Sequence, residues 1–257
     1  MRAARKLLKR AGRDRARACL VDSPMVAAEA LRAGAGMRRL FVAQDDARWG
    51  ELAAAAAARG VPVAIVPVRV IAALSDTTTP QGVVAVVEDP SRPLSLATAG
   101  ASLVVVLADV RDPGNAGTLL RSASAAGADA VVFARGAVDP FHPKTLRAAA
   151  GATWHVPVVR DVEPRACLAD LRLQGLSIIG SDAGAPSPLD EADLTGPIAL
   201  VLGNEAHGLP AAGPEMFDEV LSIPMPGHAE SLNVASAGSI ILFEAVRQRR
   251  AAARSPS

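Results

Sequence analysis

Short apolar runs of Val, Ile and Leu alternate along this chain with longer stretches in which apolar and small residues recur every three to four positions. Runs of that kind without polar alternation mark strands buried on both faces. Their alternation with helices predicts an α/β architecture with a mostly parallel sheet. Up to about residue 90 the pattern predicts strands near Leu40–Ala43, Val61–Pro67 and Gly82–Glu88, separated by helices near Met25–Ala33 and Trp49–Arg59. The segment from Glu88 to Gly100 has two prolines, small polar residues and no period, and is expected to be a linker. Beyond it, strands are expected at Leu103–Val110, Ala130–Ala134, His155–Val159, Leu176–Ser181, Ile198–Leu202 and Val220–Pro224, followed by a long helix from Leu232 to Arg250. The expected organisation is a small α/β unit at 1–90, a linker at 91–100 and a larger α/β domain at 101–257.

The 257 residues suffice for two cores, and with 50% apolar but only 3% aromatic residues those cores must be built from Ala, Val, Leu and Ile. Such a composition excludes a disordered chain, a collagen and a disulfide scaffold. No apolar run approaches the roughly 18 residues of a membrane span, so no membrane partner is expected. The first 17 residues hold eight basic side chains and no apolar core of a signal peptide, which points to a cytoplasmic protein. Cys19 and Cys167 lie far apart without ligand spacing, so they are expected to be reduced thiols and no metal site is expected.

Charge is uneven: residues 1–90 carry 14 Lys/Arg against 9 Asp/Glu, and residues 91–257 carry 13 against 17. Basic residues cluster at the amino terminus and again at Arg247, Arg249, Arg250 and Arg254. Clusters of this kind either neutralise phosphates or are solvated helix ends, and the pattern leaves both open.

No GxGxxG fingerprint follows a strand and there is no GxxxxGK[ST] loop, which disfavours a nicotinamide or triphosphate site. GxSxG and HExxH are missing as well. Polar residues do follow three strands of the larger domain, where α/β sheets hold their ligands. After the first, Pro113-Gly114 makes a turn, Asn115 suits a helix N-cap, and Gly117 and Arg121 share one face of the helix that follows, which could present a guanidinium to an anion or serve only as surface. After the second come Gly203 and Glu205, with His207 more plausible as a turn residue than as a base. After the third, Ser231 and Asn233 precede the last helix, where capping explains one of them. Loops converging on one sheet edge suit a small-molecule site.

At these residues the sequence resembles the SpoU family of the SPOUT superfamily, S-adenosylmethionine-dependent RNA ribose 2′-O-methyltransferases. Asn115 to Arg121 looks like the family's first motif, Gly203-Asn204-Glu205 with Gly208-Leu209 its second, and Ile223-Pro224-Met225 with Ser231-Leu232-Asn233 its third. Arg17, Asp22, Glu29-Ala30-Leu31 and Pro80-Gln81-Gly82 resemble the L30e-like substrate-binding domain fused to rRNA-directed members, with Val21-Asp22-Ser23 standing where relatives carry Val-Glu-Gly. The resemblance implies a deep trefoil knot in the larger domain and a bound S-adenosylmethionine touched by Leu202, Gly203, Ile223, Met225 and Leu232. It also implies catalytic work by Arg121, Asn115, Glu205, Ser231 and Asn233. A homodimer is implied too, and the small residues Ala235, Ser236, Gly238 and Ser239 offer a surface for close helix approach. The expected substrate is 23S rRNA; tRNA methylation and a non-catalytic RNA-binding role are the alternatives.

Overall fold

The structure is a computed structural model that describes all residues except Asp45, 205–208, 210–213 and 255–257. Elements in chain order up to residue 90 are α1 (Arg2–Lys6), α2 (Arg10–Ala16), β1 (Ala18–Val21), α3 (Pro24–Arg32), β2 (Met37–Ala43), α4 (Gly50–Ala58), β3 (Val63–Val66), α5 (Val68–Leu74) and β4 (Val83–Glu88). Then follow α6 (Leu94–Ala97), β5 (Leu103–Leu107), α7 (Pro113–Ala125), β6 (Ala130–Ala134), α8 (Pro143–Ala149), β7 (Val158–Val162), α9 (Pro164–Leu173), β8 (Ser177–Ser181), β9 (Ser187–Pro188), β10 (Ile198–Leu202), β11 (Glu219–Ser222) and α10 (Val234–Ala252). They form two compact units, Met1–Pro90 with Asp139–His155, and Ser91–Val138 with Val156–Ser257. Among the described residues no helix is long and apolar enough to cross a membrane.

The first unit has a four-stranded sheet in the order β1-β4-β2-β3, with β4 antiparallel to β1 and β2 and β3 parallel to β2. Leu20, Phe41, Ile71, Leu74 and Val84 form the core on one side of it. Strand β1 escaped the pattern reading because its apolar run is only four residues long, the lower limit for a strand. The excursion Asp139–His155 was expected inside the larger domain, and polar ties hold it in the first unit instead. Arg13, buried, donates from Nε and Nη2 to Asp139 Oδ2 at 2.8 and 2.6 Å. Arg147 Nη1 donates to both oxygens of Asp22 at 2.7 Å and to Asp76 at 2.6 Å. His155 Nε2 lies 2.7 Å from Glu29 Oε1, and Gly151 (φ +95°) lets Glu29 pass, since a Cβ there would stand 2.6 Å from its Cγ.

The second unit holds a seven-stranded sheet in the order β7-β6-β5-β10-β8-β11-β9, in which every pair is parallel. Val104, Val106, Val132, Ile178 and Val201 are fully or almost fully buried in its core with Leu168 of α9, as expected for strands covered on both faces. Several strand boundaries in this sheet differ from expectation. β5 stops at Leu107, β7 begins at Val158, and β11 stops at Ser222, two residues short of Pro224, which has no N–H to give a ladder. The 91–100 segment differs more. It carries α6, Ala97 packs into this unit's core, and the buried Thr98 hydroxyl donates to Leu94 O at 2.9 Å and to Gln174 Oε1 at 3.0 Å. Proline and small residues here make a packed connection rather than a loose linker.

Helix α10 lies against α7. A Cβ at Gly238 would stand 2.5 Å from Leu119 Cδ2 and 2.6 Å from Leu202 Cδ1, and Ser239 Oγ lies 2.7 Å from Ser122 Oγ. The small residues expected at a subunit contact are therefore largely used inside the chain: Ala235 and Gly238 are buried and Ser239 is half-buried.

Candidate active site at the carboxyl ends of the parallel strands

Loops that follow parallel strands gather at one sheet edge, and the register here ends four strands level. Leu202 pairs with Leu107, Val201 with Gly180, and Leu221 with Ser181. The ends of β8, β10 and β11, with the start of α10, enclose a cavity of about 300 Å³. That is the lower end of the size range of small-molecule sites. Leu202, Ile223, Met225, Leu232 and Val234 give it apolar walls; Ser181, Asp182, Asn204 and Ser231 supply the polar groups. Gly203 also lines it, so all five residues expected to touch a cofactor face one cavity.

A second cavity of about 190 Å³ shares Gly203, Asn204 and Val234 with the first and adds Asp109, Arg111 and Asn115. Arg111 Nε donates to Asp109 Oδ1 at 2.8 Å, and Asn204 Nδ2 reaches Asp109 O at 3.4 Å. Asn233 caps α10, its Oδ1 accepting from Ala235 N at 2.9 Å and Ser236 N at 3.3 Å. Its Nδ2 donates to Asn115 Oδ1 at 3.0 Å, joining the first and third motif loops. The cap of α7 is Asp112 rather than Asn115: Asp112 Oδ1 accepts from Asn115 N at 2.9 Å, and Pro113 occupies the first helical position. With capping done by Asp112, the Asn115 side chain is left to meet Asn233.

Arg121 is exposed on α7, Gly117 is buried, and neither lines either cavity among the described residues. Glu205 and His207 lie outside the described residues. The strand-order argument missed Ser181 and Asp182, although they carry the same signal as the three loops it chose, polar residues at the end of a parallel strand.

The basic clusters prove partly structural. Arg13 is spent on Asp139 and on Leu7 O and Leu8 O. At the other terminus Arg249 donates to Leu194 O, Gly196 O and Ser102 O, while Arg247 pairs with Glu244, whose carboxyl is held down at about 2 by Arg247 and Gln248.

Residues 102–243 match the SpoU rRNA Methylase family, and residues 27–93 match the RNA 2′-O ribose methyltransferase substrate binding family. The chain is 34% identical over 93% of its length, and 92% of the relative's, to the 23S rRNA (guanosine(2553)-2′-O)-methyltransferase RlmP of Bacillus subtilis. Among solved structures it resembles the SpoU methyltransferase AviRb from Streptomyces viridochromogenes in complex with AdoMet, at 30% identity and TM-score 0.84, covering 97% of this chain and 98% of that one. An AdoMet-bound rRNA methyltransferase from Sinorhizobium meliloti is 31% identical with TM-score 0.84, covering 96% and 93%. With one family match spanning more than half of its residues and a relative aligned along nearly all of them, the chain belongs to the SpoU rRNA methylase family.

Proposed function

We propose that this protein transfers a methyl group from S-adenosylmethionine to a ribose 2′-hydroxyl of 23S rRNA. The observation that carries the reading is a pair of adjacent cavities, one lined by apolar walls and a few polar groups, the other polar and sharing Gly203, Asn204 and Val234 with it. The donor set suits S-adenosylmethionine: apolar side chains for adenine, hydroxyl, amide and carboxylate groups for its polar parts. The names of the relatives favour the large-subunit rRNA as substrate.

When bound, the cofactor supplies a methyl already activated on a cationic sulfur. What the chain must do is exclude water, align the acceptor oxygen with that methyl, and deal with the hydroxyl proton. Leu202, Ile223, Met225 and Leu232 hold the cofactor's flat apolar part. Asn233, fixed as the cap of α10, holds the Asn115 amide oxygen and so orients that side chain at the second cavity, where we assign it to positioning the ribose. The acceptor 2′-hydroxyl would have to give up its proton, to solvent water, as it takes up the methyl. We assign the developing negative oxygen to Arg121, as an electrostatic partner rather than a base, since a guanidinium offers N–H donors and no acceptor for a proton. Glu205 and Ser231 complete the assigned set.

Because Arg121 lines neither cavity of its own chain among the described residues, the proposal includes a homodimer in which each Arg121 serves the other subunit's site. Leu232, Ile240 and Phe243 at and along α10 are 38%, 43% and 49% exposed, an apolar strip of the kind subunits cover. The trefoil threading belongs to the same proposal and rests on membership of the SpoU rRNA methylase family. The first unit, matched by the substrate-binding family, is assigned to RNA.

The test is methyl transfer from labelled S-adenosylmethionine to 23S rRNA, with the product mapped by 2′-O-methyl-dependent reverse-transcription stops; no transfer to any rRNA refutes the activity. Mixing Arg121→Ala with Gly203→Val subunits tests the shared site. Activity returning towards half per mixed dimer supports it, and a fully active monomer in sedimentation overturns it.

A further inference from the structure

Among the described residues lining the first cavity, Asp182 is the one charged side chain, and which polar part of the cofactor it meets has not yet been assigned. Three hydrogen bonds hold Asp182 in place. Asp182 N donates to Leu221 O at 3.0 Å, its carbonyl accepts from Ala185 N at 3.2 Å, and its Oδ1 accepts from Gly184 N at 2.8 Å. Those bonds use the backbone and one carboxylate oxygen and leave Oδ2 as the open acceptor on the cavity wall.

The wall shared with the second cavity is Gly203, Asn204 and Val234, so the sulfur and its methyl belong at that side. Asp182 lines the first cavity alone, at the end of β8, one strand further from the acceptor than β10. Two parts of the cofactor could lie there: the ribose with its two hydroxyls, or the zwitterionic amino-acid tail. The tail would bring an ammonium that Asp182 could hold but also a carboxylate, and the described lining holds no Lys, Arg or His to pair with that carboxylate. The ribose offers two donors and no anion, and a carboxylate accepting from ribose hydroxyls is the solution nucleotide-binding α/β folds use. We propose that Asp182 is the residue that recognises the cofactor's ribose hydroxyls and so selects a ribonucleoside in this cavity. This rests on the assignment of the cavity to S-adenosylmethionine.

The test titrates wild type, Asp182→Ala and Asp182→Asn with S-adenosylmethionine and S-adenosylhomocysteine by calorimetry, and with 5′-methylthioadenosine by competition against S-adenosylhomocysteine. Circular dichroism and melting confirm folding of each variant. The last ligand keeps adenine and ribose but has neither tail nor charge. Ribose recognition predicts that Asp182→Ala weakens all three by the same factor, about tenfold or more for a hydrogen bond to a charged group, with Asp182→Asn in between. A loss for the two tailed ligands but not for methylthioadenosine places Asp182 on the amino group and overturns the proposal. So does a loss confined to the sulfonium, or no loss. A wild-type protein that binds none of the three overturns the cavity assignment itself, a result distinct from all of these.

Discussion

Replacing Asp139 by alanine removes the partner of a nearly inaccessible cation. The side chains of Arg13 and Asp139 are 3% and 5% exposed, and two N–H groups of the guanidinium reach Asp139 Oδ2 at 2.8 and 2.6 Å. Asp139 Oδ1 also accepts from Phe141 N at 2.9 Å, holding the turn into α8. Breaking one side of a buried pair leaves an uncompensated charge and costs about 3–5 kcal/mol, a large fraction of the roughly 5–15 kcal/mol that holds a domain folded. With an m-value near 1.5 kcal/mol per molar urea, the unfolding midpoint should fall by about 2–3 M. Both tryptophans, Trp49 and Trp154, lie in the first unit, so fluorescence in urea reports that unit alone. The companion variant, Arg13→Met with Asp139→Leu, removes both charges and should recover at least half of the loss, although Leu7 O and Leu8 O then lose the donors that Arg13 supplies. If Asp139→Ala unfolds within about 1 kcal/mol of wild type, or the double variant is no more stable than the single one, the pair does not hold the excursion as argued.

Deleting residues 1–90 should yield an aggregating chain rather than a clean second unit, because Asp139, Arg147 and His155 lose Arg13, Asp22 and Glu29; a monodisperse, cooperatively melting product in light scattering and calorimetry would contradict this. His142 Nδ1 caps α8 by accepting from Lys144 N at 3.1 Å, and burial, helped by Arg13 and Arg147 against the opposing pull of Asp76 and Asp139, lowers its pKa. The folded state therefore resists the proton that the unfolded chain takes up near pH 6.5, so the cap's contribution is present above that value and is lost as pH falls through the lower folded value. Melting temperature should drop between pH 7 and 5, and less so in His142→Asn; equal slopes would remove the histidine from the account. Gly238→Val should cost at least the roughly 1–3 kcal/mol of an overpacked core and weaken S-adenosylmethionine binding through displacement of Leu202, which calorimetry and a melt would separate.

Much of the second unit was legible before folding, since a residue buried on both sides of a sheet must be apolar whatever surrounds it. Ala130–Ala134 and Ile198–Leu202 form strands with the expected bounds. The resemblance to the SpoU motifs, rather than burial, supplied Leu202, Gly203, Ile223, Met225 and Leu232 as a set, and they line one cavity because parallel strands deliver the loops after them to one edge. The tertiary structure decided what depends on partners distant in sequence. Whether Arg13 meets a phosphate or Asp139, 126 residues away, cannot be read from the eight basic residues around it. Whether Gly238 serves a neighbouring subunit or Leu119 of its own chain depends on which helix lies beside it. The excursion 139–155 and the packed segment 91–100 have the polar and small residues of loops, and only the buried ion pair and the Thr98 hydrogen bonds assign them to a unit. Apolar periodicity records burial, a one-body property of each position. The pairing of charges, caps and small residues is a two-body property, and the chain settles it only when folding brings the second body into reach.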